Sequence, residues 1–270
     1  MSVTQKQVST QLVLEERAGS VLTLRLNRPE KLNALNPDLC RTLVHSLLRA
    51  GEDKSVRAVV LTGAGRGFCS GADIDFLREA RSRKAVDEFK PMLEMGKEIC
   101  LAIATMPKVV IAAVNGPAAG GGLSIALACD LRIASDESMF TQAFGHLGLY
   151  PDFGATFFLP RLVGLSRASE LFYTNERLSG EEAHRIGMVA RIFPAASFEE
   201  ETRRLAECLA AGPPLAYRDV KRTMVGEAHR QLSDAIDEEN RLQLHCFLSE
   251  DCAEGLAAYA EKRPPKFRGF

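Results

Sequence analysis

One carboxylate, Asp152, stands in the stretch GLYPDFGATFFLPRLVG (residues 148–164), among glycines, aromatics and aliphatics, and no other acidic residue lies between Glu137 and Glu170. Apolar surroundings raise a carboxyl pKa toward neutrality, which suits a group that must both take and return a proton. Asp152 also stands where an N-cap for FGATFFL would stand, so capping and proton transfer are both open to it. Upstream, two glycine turns, GAGRGFCSGAD (63–73) and NGPAAGGGLS (115–124), each follow an apolar strand. Glycine admits positive φ and close approach, and a helix start after such a turn leaves unpaired N–H donors at a positive dipole end. Two donors from separate turns, converging on one oxygen, would form an oxyanion hole. Tight turns chosen only for packing would read the same way. Neither turn fits GxxxxGK[ST], and GAGRGF does not continue as GxGxxG, which disfavours a phosphate cradle or a dinucleotide site.

The elements that must position these groups follow from the pattern of apolar residues. QLVLEERAGSVLTLRLNRP alternates on both sides of Ala18-Gly19 and predicts a β-hairpin. Asn36-Pro37-Asp38 predicts a helix start, with Leu39, Leu43 and Leu47 on one face. RAVVLTG, KVVIAAVNG and DLRIAS read as buried strands, and GGGLSIALACD as a turn entering a small-residue helix. A helix through Met92, Met95 and Ile99 is stopped by Pro107, and LSGEEAHRIGMV carries a capping box, Ser179 with Glu182. Alternating strands and helices give an α/β class, with helices dominating after about residue 165. No sequence repeat or low-complexity linker divides the chain.

Composition narrows the function. The 270 residues are 46% apolar and 26% charged with net charge -1, so no electrostatic pull toward nucleic acid or anionic membrane is expected. The opening MSVTQKQVST is polar, no apolar run reaches membrane-spanning length, and a cytoplasmic location is expected. Seven scattered cysteines without a CxxC read as reduced, and five histidines without ligand spacing give no reason to expect a metal.

Taken together, GRGFCSGADI, AAVNGPAAGGGLSIALACDLRIAS, GLYPDFGATFFLPRLVG and LSGEEAHRIGMV, in that order, closely resemble the crotonase (enoyl-CoA hydratase/isomerase) superfamily from VLTLRLNRPEKLNAL to EKRPPKF. The resemblance implies a crotonase-like core of repeated ββα units over residues 1–200 and a helical oligomerisation region over 201–270. It implies a homotrimer or dimer of trimers, acyl-CoA thioester substrates, and no cofactor beyond the coenzyme A of the substrate. The oxyanion donors would be the backbone N–H groups of Ala72 and Gly121. Coenzyme A would lie along Lys31 to Ala34 and the turn of Cys69, Gly71, Asp73 and Ile74, while Tyr259 and Lys262 match positions that reach a neighbouring subunit's pocket. Residues 75–95 would cover the acyl group, and their charge suggests mobility. Phe144, Phe153, Phe157 and Phe158 suggest an apolar acyl pocket or plain core. His146 and Tyr150 read as polar helpers or packing, Arg66 as a phosphate contact or a solvated arginine, and Asp73 and Asp130 as structural acids.

Hydratases of this superfamily use two glutamates; the matching positions here are Ser124 and Phe144. A hydroxyl at 124 could hold water but cannot act as a carboxylate base. Isomerase branches of the superfamily place a single acid in a GL-x-P-D/E stretch, which Asp152 of GLYPD matches. The 4-chlorobenzoyl-CoA dehalogenases also carry an aspartate here, but they rely on a tryptophan and a histidine. This chain has no Trp, and Ile99 stands at the histidine position. The resemblance therefore implies an enoyl-CoA isomerase with Asp152, Ala72, Gly121 and Ser124 at its centre. An unusual hydratase and a non-catalytic acyl-CoA-binding trimer are the alternatives.

Overall fold

Residues 13–26 form the hairpin that their alternation predicts, β1 (Val13–Ala18) and β2 (Val21–Leu26), paired antiparallel. The structure, a computed structural model, describes residues 11–225 and 228–270, so the polar opening segment 1–10 lies outside the described residues. The chain continues through α1 (Pro37–Glu52), β3 (Ala58–Gly63), α2 (Ile74–Ser82), α3 (Val86–Thr105), β4 (Val109–Val114), β5 (Ala118–Ala119), α4 (Gly121–Ala128), β6 (Leu131–Ser135) and β7 (Met139–Thr141). It then forms α5 (Ala155–Val163), α6 (Leu165–Thr174), β8 (Leu178–Ser179), α7 (Gly180–Arg185), β9 (Arg191–Phe193), α8 (Phe198–Ala211), α9 (Pro214–Val225), α10 (Ala228–Leu248) and α11 (Glu250–Glu261).

Two sheets result. The large one has the order β1-β2-β3-β4-β6-β9 and is parallel after the hairpin; the small one has the order β5-β7-β8. Strands β3 and β4 are buried on both faces, which explains their continuous apolar runs. Val59, Leu61, Val110, Ala112 and Val114 face the main core with residues of α1 and α3, while Ala58, Val60, Ile111 and Ala113 face Phe198, Ala206 and Ala210 of α8. Three times the chain passes from the large sheet through the small layer into a helix: β3 to α2, β4 through β5 to α4, and β6 through β7 to α5. Backbone bridges Cys69 to Ala118 and Leu35 to Ala72 tie the first passage into that layer. These are repeated ββα units in structure, although no sequence repeat marks them.

Several local expectations match the observed bonds. Asn36 Oδ1 accepts from Leu39 N at 2.9 Å, and Ser179 and Glu182 form the reciprocal capping box. Two expectations are refined by the structure. Residues 75–95, whose charge suggests mobility, form α2 and the start of α3, which bury Leu77, Ala80, Phe89, Met92 and Leu93 and expose every charged side chain except that of Arg81. The boundary at 200 falls inside α8, whose apolar face covers the large sheet and so belongs to the core. Beyond it, α10 and α11 pack back on the same core through Leu232, Ile236, Phe247, Cys252 and Leu256.

Candidate active site

The two glycine turns lie side by side. Cys69 N donates to Pro117 O at 3.1 Å and Ala119 N to Cys69 O at 2.9 Å. Asn115 of the second turn donates to Gly65 O at 2.9 Å and accepts from Gly63 N at 3.2 Å, while Asn33 donates to Gly67 O at 2.7 Å. A Cβ on Gly122 would lie 2.4 Å from Cys69 O, so only glycine lets α4 approach the first turn this closely. Gly71 adopts φ 89°, with Ala119 O 2.9 Å from where its Cβ would be.

At this junction Leu35 N donates to Gly71 O at 2.7 Å and Asp73 N to Leu35 O at 2.8 Å, so the intervening Ala72 N–H points away from Leu35. Gly121 is the first residue of α4, where no intrahelical acceptor exists for its N–H. Among the described residues neither N–H has a hydrogen-bond partner. Both residues line a cleft of about 790 Å³ that also takes in Asp152.

Asp152 is 6% exposed. Its Oδ2 accepts from Gln243 Nε2 at 2.9 Å, and its Oδ1 is buried without a partner among the described residues. That free oxygen lies 3.5 Å from the point a Cβ on Gly121 would occupy, beside the start of α4. Burial pushes the carboxyl up to about 7; the Gln243 donor opposes this and the nearby Glu239 carboxylate adds to it. Asp152 does not cap α5. That role falls to Glu239 of α10, which accepts from Gly154 N at 2.7 Å, Thr156 N at 2.8 Å and Thr156 Oγ1 at 2.5 Å. Burial likewise pushes Glu239 up to about 7, against these donors. Ala155 N donates to the Asp152 backbone carbonyl at 3.2 Å, so no N–H of α5 reaches the Asp152 carboxylate.

The cleft also gathers Lys31, Ala34, Gly71, Asp73, Ile74, Phe144, Phe153, Arg66 and His146. Asp73 is ion-paired with Arg28 at 2.8 Å and caps α2 through Asp75 N, so it is not a free acid. Phe144 and Phe153 line the apolar interior with Leu77, Phe89, Met92 and Leu149, whereas Phe157 and Phe158 pack elsewhere in the core. At the mouth, Lys31 pairs with Asp75, while Arg66, Arg78, Arg177 and Lys262 have no carboxylate partner among the described residues.

Two expected residues are placed differently. Ser124 is fully buried and donates to Gly120 O at 3.1 Å, so its hydroxyl does not face the cleft. Cys69 is fully buried with Sγ on Asn33 O at 3.1 Å, and only its backbone shapes the turn. Tyr259 and Lys262 line their own chain's cleft, because α11 folds back on residues 144–147 and on α2. Arg81 of α2 secures that return by donating to Leu248 O and Ser249 O at 3.2 and 2.9 Å. Tyr150 does not line the cleft; its N–H donates to Gln243 Oε1 at 2.9 Å. Asp130 is structural, paired with Lys221 at 2.7 Å.

Sequence reasoning missed Gln243 and Glu239. A signal existed: Leu232, Ile236, Glu239, Gln243 and Phe247 form one buried stripe of α10, and two polar residues in such a stripe demand buried partners.

Residues 16–269 match the family described as Enoyl-CoA hydratase/isomerase. The chain is 40% identical over 257 residues to a Rhodobacter capsulatus protein named "Probable enoyl-CoA hydratase", covering 94% of this chain and 96% of that one. It is 35% identical over 259 residues to the 1,2-epoxyphenylacetyl-CoA isomerase of Escherichia coli, covering 96% and 99%. Among solved structures, an enoyl-CoA hydratase from Mycobacterium avium subsp. paratuberculosis superposes with a TM-score of 0.86 at 33% identity, covering 95% of this chain and 98% of that one.

Proposed function

The chain belongs to the enoyl-CoA hydratase/isomerase family, with its crotonase fold, and within that family we propose that it is an enoyl-CoA isomerase that uses Asp152 as its single acid/base. The observation that carries this reading is the free Oδ1 of Asp152, buried beside the start of α4 and near two unpaired main-chain donors. The substrate's thioester oxygen would accept from Ala72 N and Gly121 N, which favour the charge that develops when C2 loses a proton. Asp152 takes that proton from a 3-enoyl thioester, giving a conjugated dienolate, and returns it to C4; the double bond moves to C2–C3. A carboxyl near 7 is suited to both halves of the step.

Hydration would need a second group to hold and split water. The other acids lining the cleft are Asp73, held by Arg28, and Glu30 and Asp75 at the exposed mouth. Ser124 and Phe144 occupy the positions of the two glutamates that the family's hydratases use. Lys31, Arg66, Arg78, Arg177 and Lys262 suit the phosphates of coenzyme A, and Tyr259 lines the same cleft. The exposed apolar residues Leu215 and Met224 of α9 and Tyr173 of α6 support assembly as a trimer or dimer of trimers. Light scattering is expected to return the mass of three or six 29.5-kDa chains. A cytoplasmic location accords with the reduced cysteines.

The test is to give the purified protein 3-hexenoyl-CoA and crotonyl-CoA in parallel. Conversion of the first to 2-hexenoyl-CoA, without rapid hydration of the second, is expected. Rapid hydration of crotonyl-CoA supports the hydratase reading. Tight binding of both without conversion supports a binding protein.

A further inference from the structure

Asp152 has two oxygens, and the fold treats them differently. Gln243 enters from α10 and makes two bonds at once: its Oε1 accepts from Tyr150 N at 2.9 Å and its Nε2 donates to Asp152 Oδ2 at 2.9 Å. The Tyr150 N–H can only donate, so the amide cannot flip without losing both bonds. Gln243 is itself 1% exposed. Glu239, one turn earlier on α10, fixes the following segment by capping Gly154 and Thr156.

We propose that Gln243 is a positioning residue that occupies Asp152 Oδ2, so that Oδ1 alone carries the substrate proton from C2 to C4. This rests on the reading of Asp152 as the acid/base. In the first half-step the C2–H bond breaks, a proton bonds to Oδ1, and the electron pair enters the dienolate. In the second, the Oδ1–H bond breaks toward C4, its pair returns to the carboxylate, and the C2–C3 double bond forms. Nothing is oxidised or reduced, and no co-reactant is needed. Since Oδ1 has no other buried partner among the described residues, no protein group within hydrogen-bond reach competes for the proton. Rotation of the carboxyl, which would swing the proton away from C4, is blocked by the bond to Oδ2.

The experiment uses 3-hexenoyl-CoA with deuterium at C2, in ordinary water, and reads kcat and the fraction of deuterium found at C4 of the product. Wild-type protein is expected to retain a measurable fraction of the label. Gln243→Met, of similar length but without the donor, is expected to lose at least half of that retention and about 10–100-fold in kcat, with acyl-CoA affinity little changed. Gln243→Leu likewise removes the donor without adding a charge or a new O–H donor. It is expected to lose retention in the same way, and it keeps the test decisive if the methionine variant does not fold. Unchanged retention in either folded variant, whatever its kcat, overturns the inference and leaves Gln243 a packing residue; wild-type product without deuterium at C4 also overturns it. The two readings fail separately. Full activity in Asp152→Asn removes the acid itself, whereas an inactive Asp152→Asn beside a normal Gln243→Met removes only the role of Gln243.

Discussion

At Asp152 three influences compete, and desolvation is the largest. The Gln243 donor stabilises the ionised form, while burial and Glu239 favour the protonated one, and the balance sets the carboxyl near 7. A base must be ionised to take the C2 proton, so kcat/KM on a 3-enoyl-CoA is expected to rise about tenfold per pH unit below pH 7 and flatten above it. Removing the Glu239 charge should lower the Asp152 pKa, so a pH–rate profile of Glu239→Gln should have its rising limb at lower pH than wild type. A limb near pH 4 in the wild type would mean that a solvated carboxylate does the work. Asp152 could be singled out in the sequence because no other acid stands near it. Gln243 could not, since its partner lies 91 residues away and only the packing of α10 against the segment before α5 joins them.

At the scale of elements, the three groups proposed to act on the substrate occupy equivalent places. Ala72, Gly121 and Asp152 each lie where the chain leaves the small layer for α2, α4 and α5. The large sheet was readable in the apolar runs of β3, β4 and β6, and α1 and α7 in their caps, because those signals are local. The convergence of the two glycine turns was not, because it depends on bonds such as Asn115 to Gly65 and Cys69 to Pro117 between separate motifs. Asp152 illustrates the difference. Its position before FGATFFL reads as a cap, but the cap comes from Glu239, and its carboxylate is left without donors from α5. The tight junction makes a direct prediction. Gly122→Ala forces a Cβ to within 2.4 Å of a backbone oxygen, and it is expected to lower unfolding stability by about 1–3 kcal/mol and to misalign the Gly121 donor. Urea unfolding with the wild-type midpoint would show that the turns are less closely packed than described here.

At the scale of the molecule, the helices after α8 close the site of their own chain. α10 brings Gln243 and Glu239, and α11 brings Tyr259 and Lys262, so this region supplies part of the cleft itself. Among the described residues no helix is long and apolar enough to cross a membrane. Burying Asp152 also carries a stability consequence with a definite sign. Its folded pKa, near 7, lies above the ordinary unfolded value of about 3.9. Between these values the folded state binds more protons than the unfolded one, so this group's contribution to stability is fully present below about pH 4 and is lost as pH rises through 7. Asp152→Asn removes the ionisable group, so the variant should melt above wild type at pH 8, with the gap narrowed at pH 5 and closed only below about pH 4. A gap independent of pH would place the carboxyl in water.

The central claim is that Asp152 takes the proton from C2 while Ala72 and Gly121 hold the thioester oxygen. It is tested most directly by comparing wild type and Asp152→Asn for conversion of 3-hexenoyl-CoA to 2-hexenoyl-CoA, with hexanoyl-CoA affinity measured alongside. The expected result is a loss of about 10²–10⁴-fold in kcat with affinity within about threefold of wild type. An Asp152→Asn protein that isomerises at the wild-type rate would contradict the account.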